Sequence, residues 1–197
     1  MISSKSFDKI ERSFYQDSTI EVAKKLLGNL FVRIDKGQVI AGKIVEVEVY
    51  LPDDPASHSY KGKTERNSAM FMQGGFLYVY FTYGMHYCAN IVTEYENYGS
   101  AVLLRALEPV LGLEIMKKNR GEHIKEKDLA NGPAKLCRAL GITKEFNKID
   151  LLGNDVFCAY NNENNIKIKK AHRIGIKEEK KRLLRFYIEN NLYVSVY

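Results

Sequence analysis

The sequence predicts an α+β fold: a single domain with a curved, mostly antiparallel β-sheet, or partly open barrel, and surrounding helices. Several segments show the two-residue alternation of strands, whereas only a few show helical periodicity. A chain of 197 residues fits one domain and can bury a core without disulfides. No internal repeat, linker or low-complexity tract divides it. We therefore expect residues 1–197 to form one domain.

The first half of the chain is expected to contain a helix, two strands and a long loop. STIEVAKKLLG reads as a helix because Ser18 and Glu21 can form a capping box and Gly28 suits the position after the last turn. LFVRI and VIAGKIVEVEVY are expected to be strands. The polar segment LPDDPASHSYKGKTERNSA, residues 51–69, is expected to be a loop, and a loop of this length is often functional.

The second half is expected to contain two hairpins, a further strand and two helices. FLYVYFTYG and MHYCANIVTE are predicted to pair and to turn near Gly84, and SAVLLRALE is the next strand. EPVLGLEIMKKNR is predicted to be a helix with Pro109 in its first turn. NGPAKLCRALG is predicted to be a helix from Pro133 to Gly141. KEEKKRLLRFYIENNLYVSVY is predicted to be a hairpin that turns near residues 190 and 191.

The composition excludes several classes of protein. No run of about 18 apolar residues is present, so we expect no membrane span. MISSKSFDKIERSFYQ lacks a signal-peptide core, so we expect a cytoplasmic protein of a bacterium. The three cysteines and four histidines lack metal-ligand spacing, which predicts reduced thiols and no metal site. The net charge of +6 permits binding to a polyanion.

The segment KIVEVEVY, residues 43–50, poses the main question of function. Its valines alternate with Glu46, Glu48 and Tyr50, so strand parity places these three on the face opposite the valines. The simplest interpretation is a solvated face. The alternative is that Glu48 lies at the floor of a cleft and acts as a general base on water.

Further candidates are unusual mainly because of where they stand. Tyr78 is most simply a strand tyrosine with its hydroxyl at the surface, whereas Tyr83 beside a turn glycine should project outward. His58 is a loop histidine with no special signal. Asn90 stands in the apolar strand CANIV and needs a partner for its amide. Arg105, in VLLRALE, could pair with Glu46 or Glu48.

Taken together and in order, these segments resemble a known enzyme family. EVEVY, ASHS, RNSAMFMQGGFLYVYFTYGMHYCANI, AVLLRALEP, NGPAKLCRALGI, RIGI and LRFYI resemble the alkyladenine DNA glycosylases, also called mammalian-type 3-methyladenine DNA glycosylases. The resemblance covers nearly the whole chain and suggests a bacterial member. It implies a monofunctional enzyme of base excision repair that flips alkylated or deaminated purines from duplex DNA and hydrolyses the N-glycosidic bond. The product would be an abasic site.

The resemblance also assigns roles at the reaction centre. Glu48 would be the general base for the attacking water, Arg105 would help to hold that water, and the backbone carbonyl of Ile174 would contact it. Glu46 would be at most a supporting residue.

For the flipped base and the DNA, the resemblance implies contacts on several sides. Tyr50 would cover one face of the base, and His58 and Tyr80 would cover the other. Asn90 would crowd the exocyclic amine of guanine and so exclude normal guanine. Three further residues would contact the duplex, namely Tyr83 as an inserted wedge and Met85 and His86 along the backbone.

The resemblance implies no metal and no cofactor, a monomer, and double-stranded DNA containing damaged purines as the partner. The preferred lesion stays open among 3-methyladenine, 7-methylguanine, hypoxanthine and ethenoadenine. Three departures affect the pocket and the DNA contact. The loop between Tyr50 and His58 is about one residue shorter than in the mammalian form, and the arginine-rich segment after the histidine is here SYKGKTERNSA. His86 stands where an aromatic is common. Two other functions stay open, a non-catalytic binder of damaged DNA and an RNA- or nucleotide-binding β-barrel.

Overall fold

The computed structural model describes residues 6–161 and 166–196. Its helices are α1 (Arg12–Tyr15), α2 (Thr19–Leu26), α3 (Leu113–Arg120) and α4 (Pro133–Leu140). Its strands are β1 (Leu30–Asp35), β2 (Gln38–Tyr50), β3 (Leu77–Thr82), β4 (His86–Thr93), β5 (Ser100–Leu111), β6 (Val156–Ala159), β7 (Ile168–Ala171) and β8 (Arg185–Ile188). Short 3-10 turns cover Ser68–Phe71, Glu126–Asp128 and Lys144–Phe146.

The strands form one antiparallel sheet in the order β3-β4-β5-β2-β1-β6, with β8 pairing both β2 and β7. The long strand β2 is its centre: its first half pairs with β1, its second half with β8, and β5 follows its other edge. The sheet curls into a half-barrel with helices packed on it. The predicted α+β class and curved antiparallel sheet are confirmed.

A β-bulge interrupts the pairing of β2 with β5 at the position that matters for the site. The register shifts on both sides of Glu46, between Ile44 and Val47. On β5 this irregularity falls at Arg105, between Leu104 and Ala106. Bulges redirect side chains and are common beside active sites, so the bulge helps to place Arg105 against both glutamates of β2.

The helices contribute their apolar faces to the core. Helix α2 buries Val22, Ala23 and Leu26, and α4 buries Leu136, Cys137, Ala139 and Leu140. Helix α4 has Pro133 in its first turn and ends at Gly141, which has φ +67°, as the sequence predicts. All three cysteines are free and buried. In the part of the chain that the model describes, no helix is long and apolar enough to cross a membrane.

The predicted capping box at the start of α2 is wrong. Ser18 occupies the cap position but makes no side-chain capping bond. Instead, the backbone N–H and the hydroxyl of Thr19 donate to Glu94 Oε1, at 2.8 and 2.9 Å. A carboxylate from the turn after β4 thus replaces the local cap.

Two further predictions differ from the structure: the helix predicted after β5 is present but starts later, and residues 177–196 do not form the predicted hairpin. Pro109 lies in β5, opposite Gly42, where a second register shift tolerates a proline, and α3 begins only after Gly112. The closing hairpin does not form, although the chain turns at Asn190. Strand β8 already has β2 on one edge and β7 on the other, so no edge is free for a returning strand.

Candidate active site

A cavity of about 540 Å³ opens among the ends of several strands and two loops. Its lining includes seven residues to which the resemblance assigns a role in the site: Tyr50, His58, Tyr80, Tyr83, Asn90, Arg105 and Ile174. They come from β2, β3, β4, β5, the β3–β4 turn, the 51–69 loop and the segment between β7 and β8. The fold therefore brings together candidates that are up to about 120 positions apart in the chain.

Glu48 is fully buried beside this cavity and is held by three donors. The backbone N–H of Ile174 donates to Oε1 at 2.8 Å, and the Tyr50 hydroxyl donates to Oε2 at 3.0 Å. Arg105 Nη1 lies 3.4 Å from Oε1. The solvated face considered from the sequence is therefore wrong. The contact of the Ile174 carbonyl with water stays a prediction.

These surroundings shift the pKa values of both Glu48 and Tyr50. Burial raises the pKa of Glu48 above its ordinary value, while Arg105, the Ile174 N–H and the Tyr50 hydroxyl oppose the rise. Burial and the neighbouring Glu48 raise the pKa of Tyr50, so the phenol stays protonated and can donate to the carboxylate. A carboxylate with this raised pKa is a stronger base than an exposed one.

An aromatic wall, formed by His58, Tyr78 and Tyr80, borders the cavity. His58 Nδ1 lies 2.9 Å from the Tyr78 hydroxyl, and its ring meets Tyr80 edge to face at 4.6 Å between centroids. Partial burial and, to a lesser extent, Arg66 lower the pKa of His58, which favours a neutral imidazole. The surface position expected for Tyr78 is wrong, because its ring is buried and orients His58. The sequence did carry a sign of this position: Tyr78 and Tyr80 are two residues apart in one strand, so their side chains lie on the same face.

Asn90 lies on β4, is buried, and lines the same cavity. Its amide group donates to the carbonyl of Tyr78 at 3.1 Å, which satisfies the partner that a buried strand asparagine needs. This bond fixes the side chain at the wall of the cavity.

Comparison with known proteins identifies the family. A family model described as methylpurine-DNA glycosylase matches residues 13–192. The chain belongs to the methylpurine-DNA glycosylase family. It is therefore a DNA glycosylase, a hydrolase that binds DNA and acts in base excision repair.

The chain matches curated relatives over almost the full length of both proteins. A protein of Francisella tularensis subsp. tularensis (strain FSC 198) is 50% identical over 181 residues, covering 90% of this chain and 93% of that protein. One of Carboxydothermus hydrogenoformans is 46% identical, with coverages of 94% and 98%. One of Clostridium novyi (strain NT) is 43% identical, with coverages of 95% and 98%. Each carries the name "Putative 3-methyladenine DNA glycosylase".

The β3–β4 turn of the glycosylase projects from the rim of the cavity. Tyr83 is 85% exposed and Met85 is 69% exposed, and His86 is also exposed. Tyr83 and Gly84 have φ of +51° and +67°, and the Met85 N–H bonds to the Thr82 carbonyl at 3.3 Å. Type I′ turns require positive φ at both central positions. A tyrosine is strained in that conformation, so its presence there is consistent with a functional role.

A buried ion pair packs against Tyr50, which also lines the cavity. The Arg173 guanidinium lies 4.8 Å from the centroid of the Tyr50 ring and donates to the Val49 carbonyl at 2.9 Å. Asp54 pairs with the same guanidinium, and both side chains are fully buried. No local pattern in the sequence indicates this pair, because its members are 119 positions apart.

Replacing Asp54 with Ala should destabilise the protein by about 3–5 kcal/mol, because it leaves the Arg173 charge buried without its partner. Denaturant unfolding measures this loss. The matched control is Asp53→Ala. The Asp53 side chain is 69% exposed, and its ion pair with Arg182 is long, at 3.4 Å. The control should have a much smaller effect. Equal losses in the two variants would contradict the structural role of the buried pair.

Proposed function

We propose that this protein is a monofunctional glycosylase that excises alkylated or deaminated purines from duplex DNA and leaves an abasic site. Residues 1–197 act as one glycosylase domain, a monomer that works on the nucleoid in the bacterial cytoplasm without a metal or cofactor. One observation carries the proposal: a buried carboxylate, Glu48, is oriented by Tyr50, Ile174 and Arg105, three residues that line an aromatic cavity.

The damaged purine is flipped out of the duplex and enters the cavity between Tyr50 on one side and His58 and Tyr80 on the other. Electron-rich rings bind electron-poor or cationic purines well. The neutral imidazole favoured at His58 avoids repulsion of a cationic base. Asn90, fixed by its bond to the backbone, crowds the exocyclic amine of guanine and so disfavours the normal base.

In the chemical step, Glu48 takes a proton from water as the water oxygen forms a bond to C1′ of the sugar. The bond from C1′ to the purine nitrogen breaks, and its electron pair leaves with the base. The negative charge of Glu48 also favours the positive charge that develops on the sugar. Arg105 helps to hold the water, and the Ile174 carbonyl provides a second contact.

The duplex contacts come from the β3–β4 turn. Tyr83 inserts where the purine has left and returns roughly 1–3 kcal/mol of stacking. Extrusion costs a few kcal/mol and costs least for a lesion that already pairs badly, so the wedge favours damaged over normal pairs. Met85 and His86 contact the DNA backbone, and the net charge of +6 adds salt-dependent affinity.

The direct test uses duplexes that each contain one lesion: 3-methyladenine, 7-methylguanine, hypoxanthine or ethenoadenine. With enzyme in excess, we expect release of the free base from one or more of them, and an abasic site in the DNA. Borohydride should trap no covalent complex, because hydrolysis by water forms no Schiff base.

The other two functions predict different results. A non-catalytic binder of damaged DNA would bind these duplexes tightly and release no base. An RNA- or nucleotide-binding barrel would prefer single strands to duplex. Either result would overturn the proposed function, and a trapped complex would overturn its monofunctional part.

A further inference from the structure

Four buried charged side chains meet at the bulge between β2 and β5. Two are acids, Glu46 and Glu48, and both are fully buried. Two are arginines, Arg105 and Arg185, whose side chains are 8% and 6% exposed. The acids and the arginines balance in charge, which a buried cluster requires.

Both arginines of this cluster contact Glu46. Arg185 Nη1 lies 2.9 Å from its Oε1, Arg105 Nε lies 3.3 Å from the same atom, and the Ser195 N–H donates to Oε2 at 2.7 Å. Arg185 is fixed in turn by the carbonyls of His172 and Val196, at 2.9 and 2.7 Å.

Arg105 therefore stands between the two carboxylates. It is 3.3 Å from Glu46 and 3.4 Å from Glu48, at the long end of an ion pair. The closest partners of Glu48 are instead neutral donors, the Ile174 N–H and the Tyr50 hydroxyl, at 2.8 and 3.0 Å. The general base is thus held without being fully neutralised by a cation.

We propose that Glu46 is a positioning residue for the glycosylase reaction: together with Arg185, it holds Arg105 between two carboxylates and so limits the charge that Arg105 brings to Glu48. This inference rests on the proposed function, in which Glu48 is the base. A full ion pair with Arg105 would stabilise the Glu48 carboxylate and weaken it as a base.

The expected effects have opposite signs for the two partners. The groups that face Glu48 are Arg105 on β5, Arg185 on β8, which is its cross-strand partner, Tyr50 and Glu46 on its own strand, and the Ile174 N–H. In Glu46→Gln, Arg105 has no competing carboxylate and pairs more fully with Glu48. In Arg185→Gln, Glu46 has lost its closest cation and draws Arg105 away from Glu48.

The test is the pH dependence of single-turnover base release from a 7-methylguanine duplex, or from another releasable lesion of the panel. A cationic purine needs no protonation to leave, so the acid limb of the profile reports the general base. Base release should rise with pH as Glu48 loses its proton. The midpoint of this limb should move down by roughly one pH unit in Glu46→Gln and up by a similar amount in Arg185→Gln.

A charge-balanced double variant, Glu46→Gln with Arg185→Gln, covers the case in which a single variant does not fold, because buried pairs removed together are better tolerated. Its limb should lie between those of the two single variants, because loss of Glu46 and loss of its cross-strand neighbour Arg185 act on Glu48 in opposite directions. A purely structural role would lower stability in all three variants without moving the limb. Midpoints that stay fixed, or that move in the same direction in both single variants, would overturn the inference.

The profile of Glu48→Gln separates failure of this inference from failure of the proposed function. If Glu48 is the base, the acid limb is absent in that variant. A limb that persists there, or a wild-type protein that releases no base, would overturn the proposed function itself.

Discussion

Glu48→Gln should slow base release from a lesion duplex by about 10²–10⁴-fold, the range of a lost general base. Glutamine keeps the shape of the side chain and can still accept the Ile174 N–H. It cannot take a proton from water or stabilise positive charge on the sugar. Affinity for the lesion duplex should be retained, since Glu48 is fully buried beside the cavity and its loss removes a negative charge.

Single-turnover base release and duplex binding, measured on the same lesion, check this expectation. Glu122→Gln is the matched control, because it makes the same change at an exposed position outside the cavity. The control should match wild type in both measurements. Base release by Glu48→Gln at the wild-type rate would remove Glu48 from the chemistry.

Tyr83→Ala should lower the efficiency of base release and the affinity for lesion duplexes by about 5–150-fold, which corresponds to 1–3 kcal/mol of lost stacking. The loss should be largest for lesions that still pair well, because their extrusion costs most. We expect this role for Tyr83 because its ring is exposed at the rim of the cavity and its backbone has a strained positive φ.

Two tyrosine variants serve as controls for the wedge. Tyr83→Phe keeps the ring and should retain most of the activity. Tyr95→Ala removes a ring that is 68% exposed in the turn at the other end of β4, and it should behave as wild type. If Tyr83→Ala excises every lesion as well as Tyr95→Ala does, the β3–β4 turn does not supply the wedge.

The sheet could be predicted from the sequence because its signals are local. Alternation marked β2, β3 and β4, and Pro133 and Gly141 marked the ends of α4. The errors came from interactions across the chain. The cap of α2 comes from Glu94, 75 positions away, and the absence of a closing hairpin depends on β2 and β7 already flanking β8.

The candidate site, too, could be predicted only where its signals are local. Parity placed Glu48 and Tyr50 together, and the resemblance supplied the roles that parity could not. The supporting pairs could not be found in this way. Glu46 pairs with Arg185 across 139 positions, and Asp54 pairs with Arg173 across 119. Charge partners that distant leave no mark in local sequence pattern; only the folded sheet brings them together.

In the proposed mechanism, extrusion of the purine and cleavage of its bond depend on different residues. Stopped-flow fluorescence can separate the two steps, using a duplex in which 2-aminopurine stands next to the lesion that is released fastest. Base release is followed in the same samples. We expect Glu48→Gln to keep the fast unstacking signal and to release base about 10²–10⁴-fold more slowly than wild type. Tyr83→Ala should lose much of the fast signal. Base release at the wild-type rate by Glu48→Gln, or loss of its unstacking signal, would show that Glu48 does not act in the cleavage step alone.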